Sequence, residues 1–234
     1  MGALAEVLAR PDIWRGDRFA AAPLPAVPSG HPALDAQLPG GGWPRGALTE
    51  LLTDGAGLGE LSLLMPALRA VREAGGWSLV IGAPHPLHAP AWAAAGVDLS
   101  RLVVVSPAAE CDALWAAEQA LASGAPDAVL CWTAQADARA VRRLQVAAAA
   151  GGAAAFLFRP LRAAAEASVA PLRLALAADR AGRLAVSVLK RRGPPPAAPI
   201  VLEPPRPAQL HESALAGARP APAAPRSPHQ AAWA

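Results

Sequence analysis

The chain has 234 residues and a mass of 23.7 kDa, enough for one compact α/β domain with appendages and too little for two full catalytic domains. It contains 62 Ala, 26 Pro and 20 Gly, so nearly half of it has little side-chain rotamer freedom and propensity arguments are blunted. Hydrophobic residues at 53% support a buried core, and 17% charged residues is well below the disordered range. Cys111 and Cys131 are expected on buried segments and have no partner spacing for a metal, so no disulfide framework or zinc site is expected, which fits a reducing cytoplasm. The opening residues lack a secretory pattern, and the longest uncharged apolar stretch, 144–158, is interrupted by Gly151 and Gly152, so membrane spanning is not expected. The net charge of +3 hides an asymmetry: residues 1–179 carry 13 Arg against 16 carboxylates, whereas 180–234 carry eight Lys or Arg against Glu203 and Glu212. A polyanion such as DNA, or an acidic protein surface, suits that basic end.

In chain order, 3–10 has helical spacing that stops at Pro11, and a Pro-rich linker follows to about residue 26. A turn and helix signal at 29–35 and the run Gly40-Gly41-Gly42 lead into a predicted strand at 48–53. Helices are then predicted at 58–73, 89–95, 110–122 and 136–150, alternating with strands at 77–81, 102–105, 128–132 and 153–158. Short strands that are apolar on both faces and separated by helices require a parallel sheet covered on both sides. Segments 172–176 and 184–189 flank the turn signal Asp179-Arg180-Ala181-Gly182 and predict an antiparallel hairpin at the sheet edge. With 11 Pro in 42 positions, residues 193–234 read as a disordered tail. The division is thus an N-terminal helix and linker at 1–26, an α/β core at 27–192 and a basic Pro/Ala-rich tail at 193–234.

In a sheet of this kind the turn after the first strand is where phosphates bind, because backbone N–H groups and a helix N-terminus converge there. The turn here reads Asp54-Gly55-Ala56-Gly57-Leu58-Gly59-Glu60-Leu61, with glycines that suit a phosphate cradle and charges that do not. A working P-loop follows its last Gly with Lys and then Ser or Thr, whereas Glu60 and Leu61 stand at those positions. A carboxylate facing a phosphate is repelled by roughly 4 kcal/mol at ~4 Å and an effective dielectric of ~20. Asp54, Gly55, Gly57, Gly59 and Glu60 therefore read as a degenerate loop with no cofactor. Trp132 ends the strand at 128–132 where a metal-binding Asp would stand. His85 and His88 lack a third ligand, and no nucleophile-elbow motif is present, so no catalytic or metal residues are expected.

The residues Val27-Pro28-Ser29-Gly30-His31-Pro32-Ala33-Leu34-Asp35 and Gly40-Gly41-Gly42-Trp43-Pro44-Arg45-Gly46-Ala47-Leu48-Thr49-Glu50-Leu51 resemble the entry to the core of RecA-type recombinases. The resemblance continues through 95–105 and 124–130. Residues 14–16, 38–46, 156–160 and 189–194 are similar to the ImuA family, RecA-like proteins associated with translesion DNA synthesis that also carry SulA-like descriptions. This resemblance implies a RecA-like fold and a non-catalytic accessory role in SOS-induced mutagenesis. It implies ImuB and an error-prone polymerase as partners, RecA and DNA as further ones, and a cytoplasmic, damage-dependent nucleoid location. It also implies departures from active recombinases: Pro84 stands at the catalytic Glu, Glu60 at the P-loop Lys, Trp132 at the metal-binding Asp and Pro160 at the γ-phosphate-sensing Gln. A RecA-family ATPase with an unorthodox loop and a SulA-like inhibitor of cell division remain as alternatives.

Without a nucleotide site, function is expected on surfaces. Arg139, Arg142 and Arg143 on one helix, with Arg159 and Arg162 beyond the next strand, are candidates for a basic DNA- or partner-binding face. Lys190, Arg191 and Arg192 are candidates for a docking arm together with the tail. Residues 19–22 match a Phe-x-x-Ala pattern, which this composition produces by chance. Trp43, Trp77, Trp115 and Trp132 are expected to pack in the core or its rim, whereas Trp14 beside Arg15 is a candidate for exposed stacking.

Overall fold

A computed structural model describes residues 25–203 apart from Ala56. The expected N-terminal helix, Trp14, residues 19–22 and the tail beyond Glu203 lie outside the described residues. Strand β1 (Ala26–Val27) pairs antiparallel with β2 (Trp43–Pro44) as a small separate ribbon, and the helical turn α1 (Pro32–Asp35) lies between them. Then follow β3 (Ala47–Thr53), α2 (Glu60–Glu73), β4 (Ser78–Ile81), α3 (Ala89–Ala94), β5 (Leu102–Val105), α4 (Glu110–Ser123), β6 (Ala128–Trp132), α5 (Ala138–Gly151) and β7 (Ala154–Pro160). The chain finishes with β8 (Leu172–Ala178), β9 (Leu184–Lys190) and β10 (Ile200–Leu202).

The sheet has eight strands in the order β10-β9-β8-β3-β7-β6-β4-β5. The six from β8 to β5 are mutually parallel, and β9 and β10 extend the sheet antiparallel beyond β8. Period-two alternation sends side chains to two cores. Phe156, Phe158 and Leu130 face α2 together with Trp43 and Leu68, whereas Leu157, Val129 and Cys131 face α4 and α5 together with Leu121 and Leu144. Helix ends follow the expected chemistry: the Asp137 carboxylate caps α5 by accepting from Ala140 N–H, and Gly124 and Gly152 end α4 and α5 with positive φ. The α/β class and the edge hairpin agree with the sequence.

Ile200–Leu202, assigned by sequence to the tail, instead form β10 on β9, opposite Val186, Ala185 and Leu184. Leu202 is buried against the α2 side of the sheet, which is enough apolar area to hold a three-residue edge strand despite the prolines before it. Cys111 is exposed rather than buried, because it begins α4 on the solvent side; only Cys131 is interior. Trp43 is fully buried, but Trp77 and Trp115 are largely exposed, Trp115 at 61%. Trp77 carries the Arg101 guanidinium over its ring at 5.8 Å. Among the described residues no helix is long and apolar enough to cross a membrane.

Candidate functional site

The carboxyl ends of the parallel strands open into a cleft of about 690 Å³, bounded by Thr53 at the end of β3, Gly82 after β4, Ser106 after β5, Trp132 and Thr133 at β6, and Phe158 to Pro160 at β7. That is where a doubly wound sheet places its ligand. The loop from β3 to α2 turns through Gly57 and Gly59, with φ of 87° and 93°, conformations that favour glycine. The Thr53 hydroxyl donates to the Gly55 carbonyl at 2.8 Å and accepts from the Gly55 N–H at 3.3 Å, which fixes the turn.

Glu60 is the first residue of α2 and is only 7% exposed. Its Oε1 accepts from the Gly57 N–H at 3.1 Å. A carboxylate of the chain itself thus occupies a backbone donor of the loop, at a helix end whose dipole favours negative charge. The other oxygen, Oε2, is buried without a hydrogen-bond partner. At the far wall Trp132 stacks on Phe158, with rings parallel within 1° and centroids 4.1 Å apart. An aromatic pair fills the strand end where a metal-binding carboxylate would stand. No group of three His, Cys, Asp or Glu able to hold a metal ion occurs among the described residues.

Below the cleft lies a feature that sequence reasoning did not find. Glu50, fully buried in the middle of β3, accepts from Arg159 Nη1 of β7 at 2.8 Å and from Arg173 Nε of β8 at 2.5 Å. Arg159 Nη2 also pairs with Glu166 at 2.7 Å and donates to the Ala136 carbonyl. Arg173 donates further to the Ala163 and Glu166 carbonyls. Burial disfavours the charge on Arg159, yet the bonds to Glu50 and Glu166 outweigh it and raise its pKa. A carboxylate in the middle of a buried strand, with one Arg on β7 and one on β8, was the available signal.

The expected basic face does not form as one surface. Arg159 is buried and spent on Glu50, a correction that follows from its inward position on β7. Arg162 is exposed, lines the cleft and donates to the Ala134 carbonyl. Arg139, Arg142 and Arg143 are exposed on α5; Arg139 and Arg143 line a separate groove between α4 and α5 with Trp115, and Arg143 pairs with Glu118. Of the expected docking arm, Lys190 donates to the Ser168 carbonyl, and Arg191 binds the Pro194 carbonyl and both oxygens of Gln37. Arg192 follows at the surface between Arg191 and Gly193 and is half-buried. This segment pins the end of β9 to the loop after α1.

A parallel sheet with a glycine turn running from its first strand into a helix is the doubly wound class of α/β architecture. Residues 13–145 match the RecA N-terminal domain, and the chain belongs to that family. It is similar to the protein RecA of a Picosynechococcus species, 36% identical over 104 residues that cover 44% of this chain and 29% of that protein. RecA of Lactobacillus delbrueckii subsp. bulgaricus is 35% identical over 108 residues, covering 46% and 32% of the two chains. RecA of Francisella tularensis subsp. novicida is 32% identical over 115 residues, covering 49% and 32%. The match spans about a third of the length of these relatives.

Proposed function

We propose that this chain is a RecA-like accessory protein of SOS-induced translesion DNA synthesis, similar to ImuA, that neither binds nor hydrolyses ATP in its loop. The observation that carries this reading is the Glu60 carboxylate seated on the Gly57 N–H, where a phosphate oxygen would otherwise accept. Trp132 stacked on Phe158 supports it, because neither ring can bind magnesium. Its work is then contact with partners: ImuB and the error-prone polymerase first, with RecA and DNA as further partners and the nucleoid of damaged cells as the place of action. Arg139 and Arg142, exposed on α5, and the exposed Arg162 are candidates for contact with DNA.

Purified protein with Mg-ATP, with and without single-stranded DNA, tests the reading directly. The expected turnover is that of buffer, and deletion in cells removes damage-induced mutation while ImuB co-purifies with the intact chain. Turnover that Glu60→Ala abolishes would establish the ATPase alternative instead. Filamentation on expression with no change in damage-induced mutation would point to a division inhibitor.

A further inference from the structure

Helices α4 and α5 pack side by side on one face of the sheet and leave a valley of about 450 Å³ between them. On α4 the stripe Cys111, Leu114, Trp115 and Glu118, at helical spacing, lines it. Its floor is apolar: Leu144 is buried, and Leu114 and Ala140 are half-buried against the core. Trp115 lines the same valley at 61% exposure, a large indole that the fold itself leaves uncovered. The charges around it are not equivalent. Arg143 and Glu118 pair across the valley, Nε to Oε1 at 3.0 Å, and Asp137 is spent on the Ala140 N–H. Arg139, also in the lining, and Arg142 one turn along α5 are exposed, and neither side chain has a hydrogen bond or ion pair among the described residues. An apolar floor, an exposed indole and two unanswered cations are together complementary to an apolar side chain flanked by carboxylates.

We propose that the valley between α4 and α5 is a docking site for an acidic peptide segment of a partner protein, with an apolar side chain against Trp115 and Leu114 and carboxylates on Arg139 and Arg142. The proposal rests on the reading that this chain works by contact with partners, and it gives one such contact a place. DNA is a poorer occupant of the valley. It carries a charge at every phosphate and so meets Asp137 and Glu118, whereas a peptide can confine its carboxylates to the side of Arg139. The chain's own residues 204–234 have the wrong sign, with three Arg against Glu212.

Cys111 lies in the valley and is exposed, whereas Cys131 is buried, so alkylation of the native full chain by iodoacetamide reads occupancy of the valley. The peptide acetyl-Glu-Glu-Phe-Leu-Glu-Glu-amide is expected to slow alkylation of Cys111 saturably and to shift the Trp115 indole N–H in ¹⁵N spectra. The dissociation constant should rise about tenfold in Trp115→Ala and about fivefold in the double variant Arg139→Gln/Arg142→Gln. The neutral analogue acetyl-Gln-Gln-Phe-Leu-Gln-Gln-amide should bind the unaltered chain about fivefold more weakly than the acidic peptide. No saturable protection, equal affinity for the neutral analogue, or an affinity that Trp115→Ala leaves unchanged overturns the proposal. Protection by oligothymidylate and not by the peptide makes the valley a nucleic-acid site and overturns it as well. Mg-ATP turnover on the same samples separates the two claims: turnover with peptide binding intact overturns the proposed function alone, and absent peptide binding without turnover overturns this proposal alone.

Discussion

Glu50 lies inside β3 and Glu60 begins the helix that follows it, and the two buried carboxylates are treated in opposite ways. Both oxygens of Glu50 meet arginines from neighbouring strands, and those arginines meet further acceptors. Glu60 has one oxygen on a backbone N–H and one on nothing. Burial alone therefore says little about what a charge does. The cluster around Glu50 ties three strands together and leaves Arg159 Nε without a partner, whereas Glu60 is held by a single backbone N–H.

The largest effect should come from breaking the Glu50 cluster. Glu50→Ala leaves the buried Arg173 without an anion and Arg159 with Glu166 alone, and is expected to cost roughly 3–5 kcal/mol in urea denaturation. A loss as small as that of a surface carboxylate would show that water replaces Glu50, and the contrast with Glu60 would collapse. Next comes Cys131, buried with only distant sulfur contacts, whose thiol is pushed up to about 12 from an ordinary 9.0 by burial. The unfolded chain releases this proton first, so it binds fewer protons than the native state above that ordinary value. Stability should fall as pH rises from 9.0 toward about 12, and Cys131→Ala should flatten that limb of the curve.

Glu60→Gln should change stability by no more than about 1 kcal/mol, since it keeps the acceptor on Gly57 and loses no partner at the other atom. A larger loss would mean that the second oxygen is paired in solution. The smallest effect is assigned to His31, whose pKa burial lowers below 6.5 while Asp35 works the other way. Here the unfolded state takes up the proton first, so stability should fall as pH drops below 6.5, and His31→Gln should reduce that dependence.

The alternation of short apolar strands with helices made the parallel sheet legible from sequence, down to the glycines that end α4 and α5. What escaped has physical causes. Ile200-Val201-Leu202 is too short to stand out beside Pro194-Pro195-Pro196, and its stability comes from Leu184 and Val186 on a partner strand. In so Ala-rich a chain, helix periodicity could not decide which face of α4 is buried: Ala113, Ala117 and Leu121 turn inward, leaving Trp115 in solvent. The loop glycines and the reversed charge at Glu60 were readable. Its bond to Gly57 was not, because it depends on a three-residue reversal with two positive φ angles. Arg159 was mistaken for a surface residue because its partner is 109 positions away.

That separation also sets a timetable. The two arginines that close on Glu50 lie 109 and 123 residues downstream. During synthesis β3 is made early yet has neither lateral neighbour until β7 and β8 emerge, so its apolar face waits exposed while the later helices form. The slow step of refolding should be the insertion of β3 between β7 and β8, and in the cell this is the interval in which a chaperone has most to protect.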